Sequence, residues 1–276
     1  MKTRNGMGVL AEAYHNELAP RTLKYFGALG AILGAVSAID PDALTGWDWW
    51  TWVAVAVAVS LLTLLLSIPR SSQVYVHDQG GWSIELVRGD LLDPAEQEVI
   101  VTGDLNVTTS LQDVGPTSLI GQVINQWYGG DNAALTAEVS DGLARMGRSG
   151  APVDVGTLIA FGTSVNRSAY LFCLAERTPT GPRTDWRDLS LGYARLWESL
   201  RDKQLATVTC PIIGAGFAGT SLSARGTLIF LLLGFHGVSL ERRVTRRLRV
   251  VISESDFDPR MFRAARTMLG ELGYRH

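Results

Sequence analysis

A charge-poor block near the N-terminus constrains most strongly how this chain can fold. The 47 residues from Leu23 to Pro69 carry four charged side chains, which are Lys24, Asp40, Asp42 and Asp48. Within the block, residues 25–39 and 49–68 are uncharged runs of 15 and 20 residues. A helix needs about 20 apolar residues to cross the hydrocarbon core of a bilayer. The sequence therefore predicts a transmembrane helical hairpin over residues 23–69, with helices at about 23–39 and 49–68.

The charges around this hairpin predict its orientation. Basic residues precede it in segment 1–22 and Arg70 follows it, whereas the turn between the two runs holds three acids and no base. Because basic flanks stay in the cytoplasm, we expect both termini to be cytoplasmic. A signal peptide is the alternative for the first run, but no small-residue cleavage site follows it. A buried hairpin of a soluble protein is the alternative for both runs.

Glycine spacing in the first run suggests helix packing. Gly30 and Gly34 form a G-x-x-x-G pattern, which lets helix backbones approach closely in lipid. The pattern favours self-association or packing of the two helices within the hairpin, although glycine is also common in membrane helices that do not associate.

Charge and cysteine content exclude several classes of function. A net charge of −2 argues against a general nucleic-acid binder. Cys173 and Cys210 cannot make a disulfide framework, and their apolar surroundings predict buried side chains. The four histidines are scattered, so we predict no metal site.

The rest of the chain has the pattern of one α/β domain. We interpret residues 70–81 as a linker with an edge strand at 74–76, and residues 82–276 as a ligand-binding domain. Short apolar runs alternate with helical patterns, which is typical of a layered α/β sheet. The predicted strands are 83–87, 99–101, 158–161, 170–175, 206–213 and 248–252, and the predicted helices are 117–127, 133–146, 189–201, 223–235 and 259–272.

The strongest local motif is Gly214-Ala-Gly-Phe-Ala-Gly219, between a predicted strand and a predicted helix. Glycines in this G-x-G-x-x-G pattern let the backbone approach a pyrophosphate, which then faces a helix N-terminus. A nicotinamide-dependent dehydrogenase is excluded, because only 57 residues follow the motif and no acid lies about 20 residues further on. We predict a phosphate-binding loop, and a tight turn without ligand is the alternative.

Two earlier loops fit a nucleotide site as well. The stretch Val114–Gly121 opens a predicted helix, and its free N–H groups can face an anion. Asp90, in Gly89-Asp90-Leu91, follows the first predicted strand of the domain. Its carboxylate can accept a hydrogen bond from an exocyclic amine, or it can simply form a turn.

In this order, the loops resemble those of a macro domain, which implies a three-layer α/β/α fold with a mixed sheet. The resemblance implies that Asp90, flanked by Gly89 and Leu91, binds adenine. It also implies that two loops wrap the diphosphate and distal ribose of ADP-ribose. Their residues are Ser118, Leu119, Ile120 and Gly121, and Gly214, Ala215, Gly216, Phe217, Ala218 and Gly219.

One departure from the macro-domain pattern bears on catalysis. ADP-ribosyl-hydrolysing members carry Asn-Ala-Ala-Asn after the second strand, where this chain has Val101-Thr-Gly-Asp-Leu-Asn106. By resemblance, Thr102, Asp104 and Asn106 lie near the distal ribose. We therefore expect a ligand binder with no catalytic residue, cofactor or metal. A membrane-tethered ADP-ribosyl hydrolase, in which Asp104 or Asn106 orients a water molecule, is the alternative.

Two membrane helices followed by this macro pattern resemble the transmembrane–macro effectors of Thoeris-type bacterial antiphage defence. The resemblance implies a homo-oligomer in the bacterial inner (plasma) membrane. It also implies an ADP-ribose-derived signal, made from NAD by a TIR-domain partner, that triggers membrane disruption. A scaffold with an empty macro fold is a further alternative. The basic run Arg242–Arg249 is a solvated face, a contact with anionic lipid or a contact with ligand phosphates.

Overall fold

A mixed β-sheet organises the part of the chain that the structure describes. This computed structural model describes residues 72–276 except 94, 95, 97, 149, 166, 180, 216–219 and 221. The strands are β1 (Ser72–His77), β2 (Ser83–Arg88), β3 (Val99–Asp104), β4 (Thr157–Phe161), β5 (Ala169–Thr178), β6 (Gly181–Arg183), β7 (Thr207–Cys210), β8 (Arg247–Ile252) and β9 (Tyr274–Arg275). The helices are α1 (Leu111–Val114), α2 (Leu119–Trp127), α3 (Asn132–Arg145), α4 (Trp186–Lys203), α5 (Ala224–Glu241) and α6 (Pro259–Glu271).

The strand order places several loops at one edge of the sheet. The order is β4-β5-β3-β7-β8-β2-β1-β9, and β6 pairs with β5 outside this path. The central strands β5, β3, β7, β8 and β2 are parallel, whereas β4, β6, β1 and β9 pair antiparallel with their neighbours. Parallel strands end at the same edge, so the loops that follow β2, β3, β7 and β8 lie there together.

Helices cover the sheet on two faces, which gives the predicted three-layer arrangement. Helices α4, α5 and α6 bury Trp197, Phe235 and Leu269 against one face. Helices α2 and α3 bury Val123 and Val139 against the other. The macro-like α/β fold with a mixed sheet is therefore confirmed.

The boundaries of several elements differ from the sequence prediction. Residues Ser72–His77, which we assigned to a linker with a short edge strand, form the full strand β1 paired with β2 and β9. Strand β7 ends at Cys210, earlier than the predicted 213, because Pro211 has no N–H for the ladder. Helix α5 continues six residues past the predicted end at Phe235.

The membrane prediction concerns a different part of the chain. The hairpin predicted at 23–69 and the segment 1–22 lie outside the described residues. Among the residues that are described, no helix combines the length and the apolar character needed to cross a bilayer.

Candidate functional site

The candidate site lies at the carboxyl edge of the parallel strands. Ligands of open α/β sheets bind outside this edge, in the crevice between the loops. Strands β3, β7, β8 and β2 are consecutive neighbours in the sheet. At about 4.8 Å per strand, the ends of β7 and β2 are roughly 10 Å apart. The edge is therefore wide enough for a ligand with two chemically different ends.

Asp90 provides an exposed carboxylate at the end of β2. One of its oxygens accepts a hydrogen bond from the Leu92 N–H at 2.9 Å. The Gly89 N–H donates to the Ile252 carbonyl at the end of β8, at 3.1 Å. Leu91 and Leu92 are buried in the core next to this turn. These anchors fix the position of Asp90 while its side chain stays open to solvent.

Asp104, at the end of β3, holds the following loop in place. Its Oδ1 accepts hydrogen bonds from the N–H and hydroxyl of Thr108, both at 3.0 Å. Its Oδ2 lies 3.4 Å from Nη1 of Arg177 on β5. The other amino group of Arg177 donates to the Asp113 carbonyl in α1. Arg177 and Asp104 together tie the loop 105–118 to the sheet.

Ser118 caps the N-terminus of α2. Its Oγ accepts a hydrogen bond from the Gly121 N–H at 3.0 Å and donates to the Gly115 carbonyl at 2.8 Å. A Cβ on Gly121 would lie 2.1 Å from that same carbonyl oxygen, so only glycine permits this packing. The N–H groups of Leu119 and Ile120, at the first two positions of the helix, have no acceptor within it. They give this end of α2 a partial positive charge.

Gly214 begins the second helix-opening loop. It has φ +86°, and a Cβ there would lie 2.7 Å from Leu189 Cδ1. The Tyr193 hydroxyl donates to the Ile213 carbonyl at 2.6 Å, and the Thr220 hydroxyl donates to the Gly214 carbonyl at 2.9 Å. Ser223 then caps α5 by accepting from the Gly226 N–H. A second helix N-terminus therefore opens at the edge.

The two helix ends and Asp90 make the edge electrostatically asymmetric. Helices α2 and α5 present positive N-terminal ends beside β3 and β7, which suits an anion such as a phosphate. Asp90 stands two strands away from β7 and suits a hydrogen-bond donor. An anionic group and an amine on one ligand match this arrangement.

Comparison with known protein families agrees with this geometry. Residues 84–253 match the family described as "Thoeris protein ThsA, Macro domain". The chain belongs to this family. The matched range contains the ends of β2, β3, β7 and β8, so it covers the whole edge of the ThsA-type macro domain.

Solved macrodomains share the fold. An asparagine-to-alanine mutant of the Oceanobacillus iheyensis macrodomain aligns with a TM-score of 0.50 at 18% identity, over 74% of this chain and 98% of that chain. The macrodomain of Mycobacterium tuberculosis DarG aligns with a TM-score of 0.41 at 16% identity, over 61% of this chain and 96% of that chain. No curated protein has a significant sequence match to this chain.

The predicted site residues of the macro domain differ in where they lie. Residues at the edge are Gly89, Asp90, Ser118, Leu119, Gly214 and Ala215, and Gly216, Phe217, Ala218 and Gly219 lie outside the described residues. The side chains of Leu91 and Ile120 are buried in the core, and the Gly121 N–H is bonded to Ser118. Near the end of β3, Thr102 is half-buried and Asn106 is exposed. Asp104 is buried, and its carboxylate contacts Thr108 and Arg177.

The residues that position these loops were not predicted from the sequence. Arg177, Thr108, Tyr193 and Thr220 all hold a loop by a side-chain contact. Arg177 lies 73 positions from Asp104, so no spacing pattern connects the two residues. The one available signal was that an apolar strand ends with the polar residues Glu176, Arg177 and Thr178.

Both cysteines are unsuited to nucleophilic chemistry. They are free and buried, as the sequence predicts. Burial, together with the charge of Asp104, raises the pKa of Cys173 to about 12, and burial also raises the pKa of Cys210. Neither thiol forms a thiolate near neutral pH.

Proposed function

We propose that this protein is a membrane-anchored sensor and effector of bacterial antiphage defence. Its macro domain binds an ADP-ribose-derived nucleotide signal, and binding triggers oligomerisation and membrane disruption. Membership of the ThsA macro-domain family supports the ligand class. The observation that carries the proposal is the edge itself, where two capped helix N-termini and an exposed carboxylate lie at the carboxyl ends of neighbouring parallel strands.

The chemistry of each group suggests how the ligand docks. The exocyclic amine of adenine donates to Asp90. The diphosphate accepts from the free N–H groups of Leu119 and Ile120 and faces the N-terminal end of α5. Gly214 lets the backbone of the second loop come close to the phosphates. No cofactor or metal enters this scheme.

The wider role is proposed from the sequence. The charge-poor block 23–69 is the proposed membrane hairpin of the effector. A TIR-domain enzyme that consumes NAD is the proposed source of the signal, and the macro domain faces the cytoplasm of the bacterial cell.

Ligand binding is tested by titrating the full chain with ADP-ribose, its cyclic and amino-acid-linked derivatives, and NAD. A ligand at 100 times its dissociation constant stabilises the folded state by about 2.7 kcal/mol. For a domain of this size we expect the melting temperature to rise by about 5–10 °C. Calorimetry then gives the affinity of each ligand. Absence of binding by every compound in the panel would contradict the proposal.

A pair of matched variants locates the adenine end. Asp90→Ala removes the proposed acceptor and should weaken binding by about 10- to 150-fold, since a hydrogen bond to a charged group contributes about 1.5–3 kcal/mol. Asp141→Ala removes an equally exposed acid on α3 and should leave the affinity unchanged. Equal affinities of the two variants would show that Asp90 does not contact the ligand.

Effector function is tested with the full chain in lipid vesicles. Saturating ligand should release an entrapped dye and increase the size of the oligomer. A ligand shifts a conformational equilibrium only if it binds one state more tightly than the other. A ligand that binds but changes neither dye release nor oligomer size would therefore contradict the effector role and leave only a sensor.

An ADP-ribosyl hydrolase remains the second candidate, because Asp104 ends β3 and the exposed Asn106 follows two residues later. The binder is favoured, since both carboxylate oxygens of Asp104 already hold the loop. Incubation with an ADP-ribosylated protein decides between the two candidates. Turnover that is lost in Asn106→Ala, whose exposed side chain is not needed for folding, would favour the hydrolase. Loss in Asp104→Ala alone would reflect the disrupted loop.

A further inference from the structure

Helix α5 carries an exposed apolar stripe that the rest of the described chain does not cover. The helix buries Leu228, Leu231, Leu232 and Phe235 completely. On its opposite side Leu233 is 42% exposed and Leu240 is 59% exposed, while Ile229 is partly exposed. A helix that is apolar on all sides is normally buried on all sides. The outer face of α5 therefore has the character of a contact surface.

The exposed positions follow helical spacing along one face. Gly226, Ile229, Leu233, Gly237 and Leu240 are separated by three or four residues, so they form one line on the helix surface. We call these five residues the α5 stripe. A Cβ on Gly237 would meet nothing within 4 Å, so this position is an open notch in the stripe.

The α5 stripe is complementary to itself when two copies run antiparallel. With Leu233 opposite Leu233 of a second copy, Ile229 faces Gly237 and Leu240 faces Gly226. Ile229 and Leu240 then each meet a glycine, and the two Leu233 side chains meet at the symmetry axis. A contact that uses the same patch on both copies is the isologous type, which closes as a dimer.

The charges at the ends of α5 fit the same arrangement. Arg225 and Glu241 are the only Lys, Arg, Asp or Glu residues in the helix, and they stand at opposite ends. Antiparallel packing places Arg225 of one copy beside Glu241 of the other, twice in the dimer. A groove of about 580 Å³ beside Arg225 and Ile229, lined on the α6 side by Arg260, Ala264 and Met268, gives room for Leu240 of the second copy.

We propose that the α5 stripe is the homodimer contact of this macro domain, with α5 packed antiparallel against α5 of a second copy around a twofold axis at Leu233. The inference stands apart from ligand binding, because the stripe contains none of the residues proposed to touch the nucleotide.

Cysteine cross-linking of the full chain in its membrane tests the geometry. Helix axes about 8–10 Å apart, each with a Cα radius of about 2.3 Å, put the two Leu233 Cα atoms about 3.4–5.4 Å apart at the axis. The upper part of this range suits a disulfide, whose Cα atoms are usually about 4.4–6.8 Å apart. Leu233→Cys should therefore give a cross-linked dimer under an added oxidant. Leu191→Cys, at a site 44% exposed on α4, is the matched control and should not.

Native Cys173 and Cys210 are buried and give no background in this experiment. Equal cross-linking of the two variants, or none at position 233, would overturn the proposal.

Charge variants give an independent measurement of the same contact. Leu233→Arg puts two like charges together at the axis and should raise the dimer dissociation constant at least about 100-fold. Leu191→Arg should leave it unchanged. Arg225→Glu should weaken the dimer, and adding Glu241→Arg should restore it. Ligand binding that persists in Leu233→Arg, with no larger change in affinity than coupling to the dimer imposes, separates a failed dimer from a failed nucleotide site.

Discussion

Gly121 shows how one missing methyl group shapes the candidate site. The Gly115 carbonyl occupies the place of a side chain, so Gly121→Ala must push the loop 115–118 away from α2. We expect a loss of about 1–3 kcal/mol in the free energy of unfolding, as for other overpacked sites. We also expect weaker binding of ADP-ribose, because Ser118 no longer fixes the helix end. Chemical denaturation and calorimetry measure these two effects.

Gly270→Ala is the matched control for Gly121→Ala. Gly270 lies in helix α6 with open space around its Cβ position, so alanine there should be neutral or stabilising by up to about 1 kcal/mol. A destabilisation of the same size at both positions would show that helix propensity, and not the contact with Gly115, decides the result.

Arg177 and Asp104 are predicted to act as a unit. Asp104 is 8% exposed, so Arg177→Met leaves a buried carboxylate without its cation. Removing one partner of a buried ion pair lowers the free energy of unfolding by about 3–5 kcal/mol. We expect a loss at the lower end of this range, because Arg177 is partly exposed. Adding Asp104→Asn should recover part of the loss. A double-mutant cycle measured by urea denaturation would contradict the pairing if the two effects were additive.

Some of the residues at the candidate site were predictable from the sequence, whereas the contacts of others were not. Asp90, Ser118 and Gly214 were predictable because their roles follow from neighbours in the chain: a strand end, a helix start and a turn. Asp104 was predicted to lie near the ribose, but its contacts depend on Thr108 and on Arg177 of another strand. Such pairs depend on the order of strands in the sheet, which local patterns do not contain.

At the scale of elements, Glu138 links α3 to the turn after β4. Its carboxylate accepts hydrogen bonds from the N–H groups of Gly162, Thr163 and Ser164. It also accepts one from the hydroxyl of Tyr128, the residue that directly follows α2. Burial raises the pKa of Glu138, but the hydrogen bonds from Ser164, Gly162 and Tyr128 outweigh it and hold the pKa below its ordinary value.

Glu138→Gln should therefore lower the free energy of unfolding by about 1–2 kcal/mol at pH 7. A carboxyl whose folded-state pKa is lowered stabilises the fold above its unfolded value, near 4.3, and loses this contribution as the pH falls further. The difference in stability between wild type and Glu138→Gln should shrink below about pH 4.5. Asp141→Asn, one turn along α3, removes an exposed carboxylate and is the control.

Elements with a long periodic pattern were predicted well, and short ones were not. The five predicted helices all appear, and their starts differ by at most three residues from the prediction. Strands β6 and β9 and helix α1 have four residues or fewer, which is too short for any periodicity. Their existence depends on partners elsewhere, such as β1 for β9.

At the scale of the whole molecule, a buried aromatic cluster joins the beginning and the end of the described chain. His77 of β1 stacks on Trp82 with ring centroids 4.5 Å apart, and Trp82 donates to the Tyr274 hydroxyl of β9 at 2.9 Å. His236 of α5 lies 3.3 Å from the same hydroxyl and its ring centroid is 5.5 Å from that of His77. The cluster therefore fastens both terminal strands to the helical layer.

This cluster predicts that stability depends on pH. Burial, and then the charge of His77, lowers the pKa of His236 below its ordinary value near 6.5. The unfolded chain binds a proton there more readily than the folded one, so the free energy of unfolding falls as the pH drops from about 7 to 5. His236→Phe keeps an aromatic ring but cannot be protonated, so its stability should change less over this range. Denaturation curves at pH 5, 6 and 7 measure the difference, with His276→Asn at the exposed C-terminus as control. If the free energy of unfolding changed equally with pH in wild type and His236→Phe, protonation of His236 would not be the cause of the pH dependence.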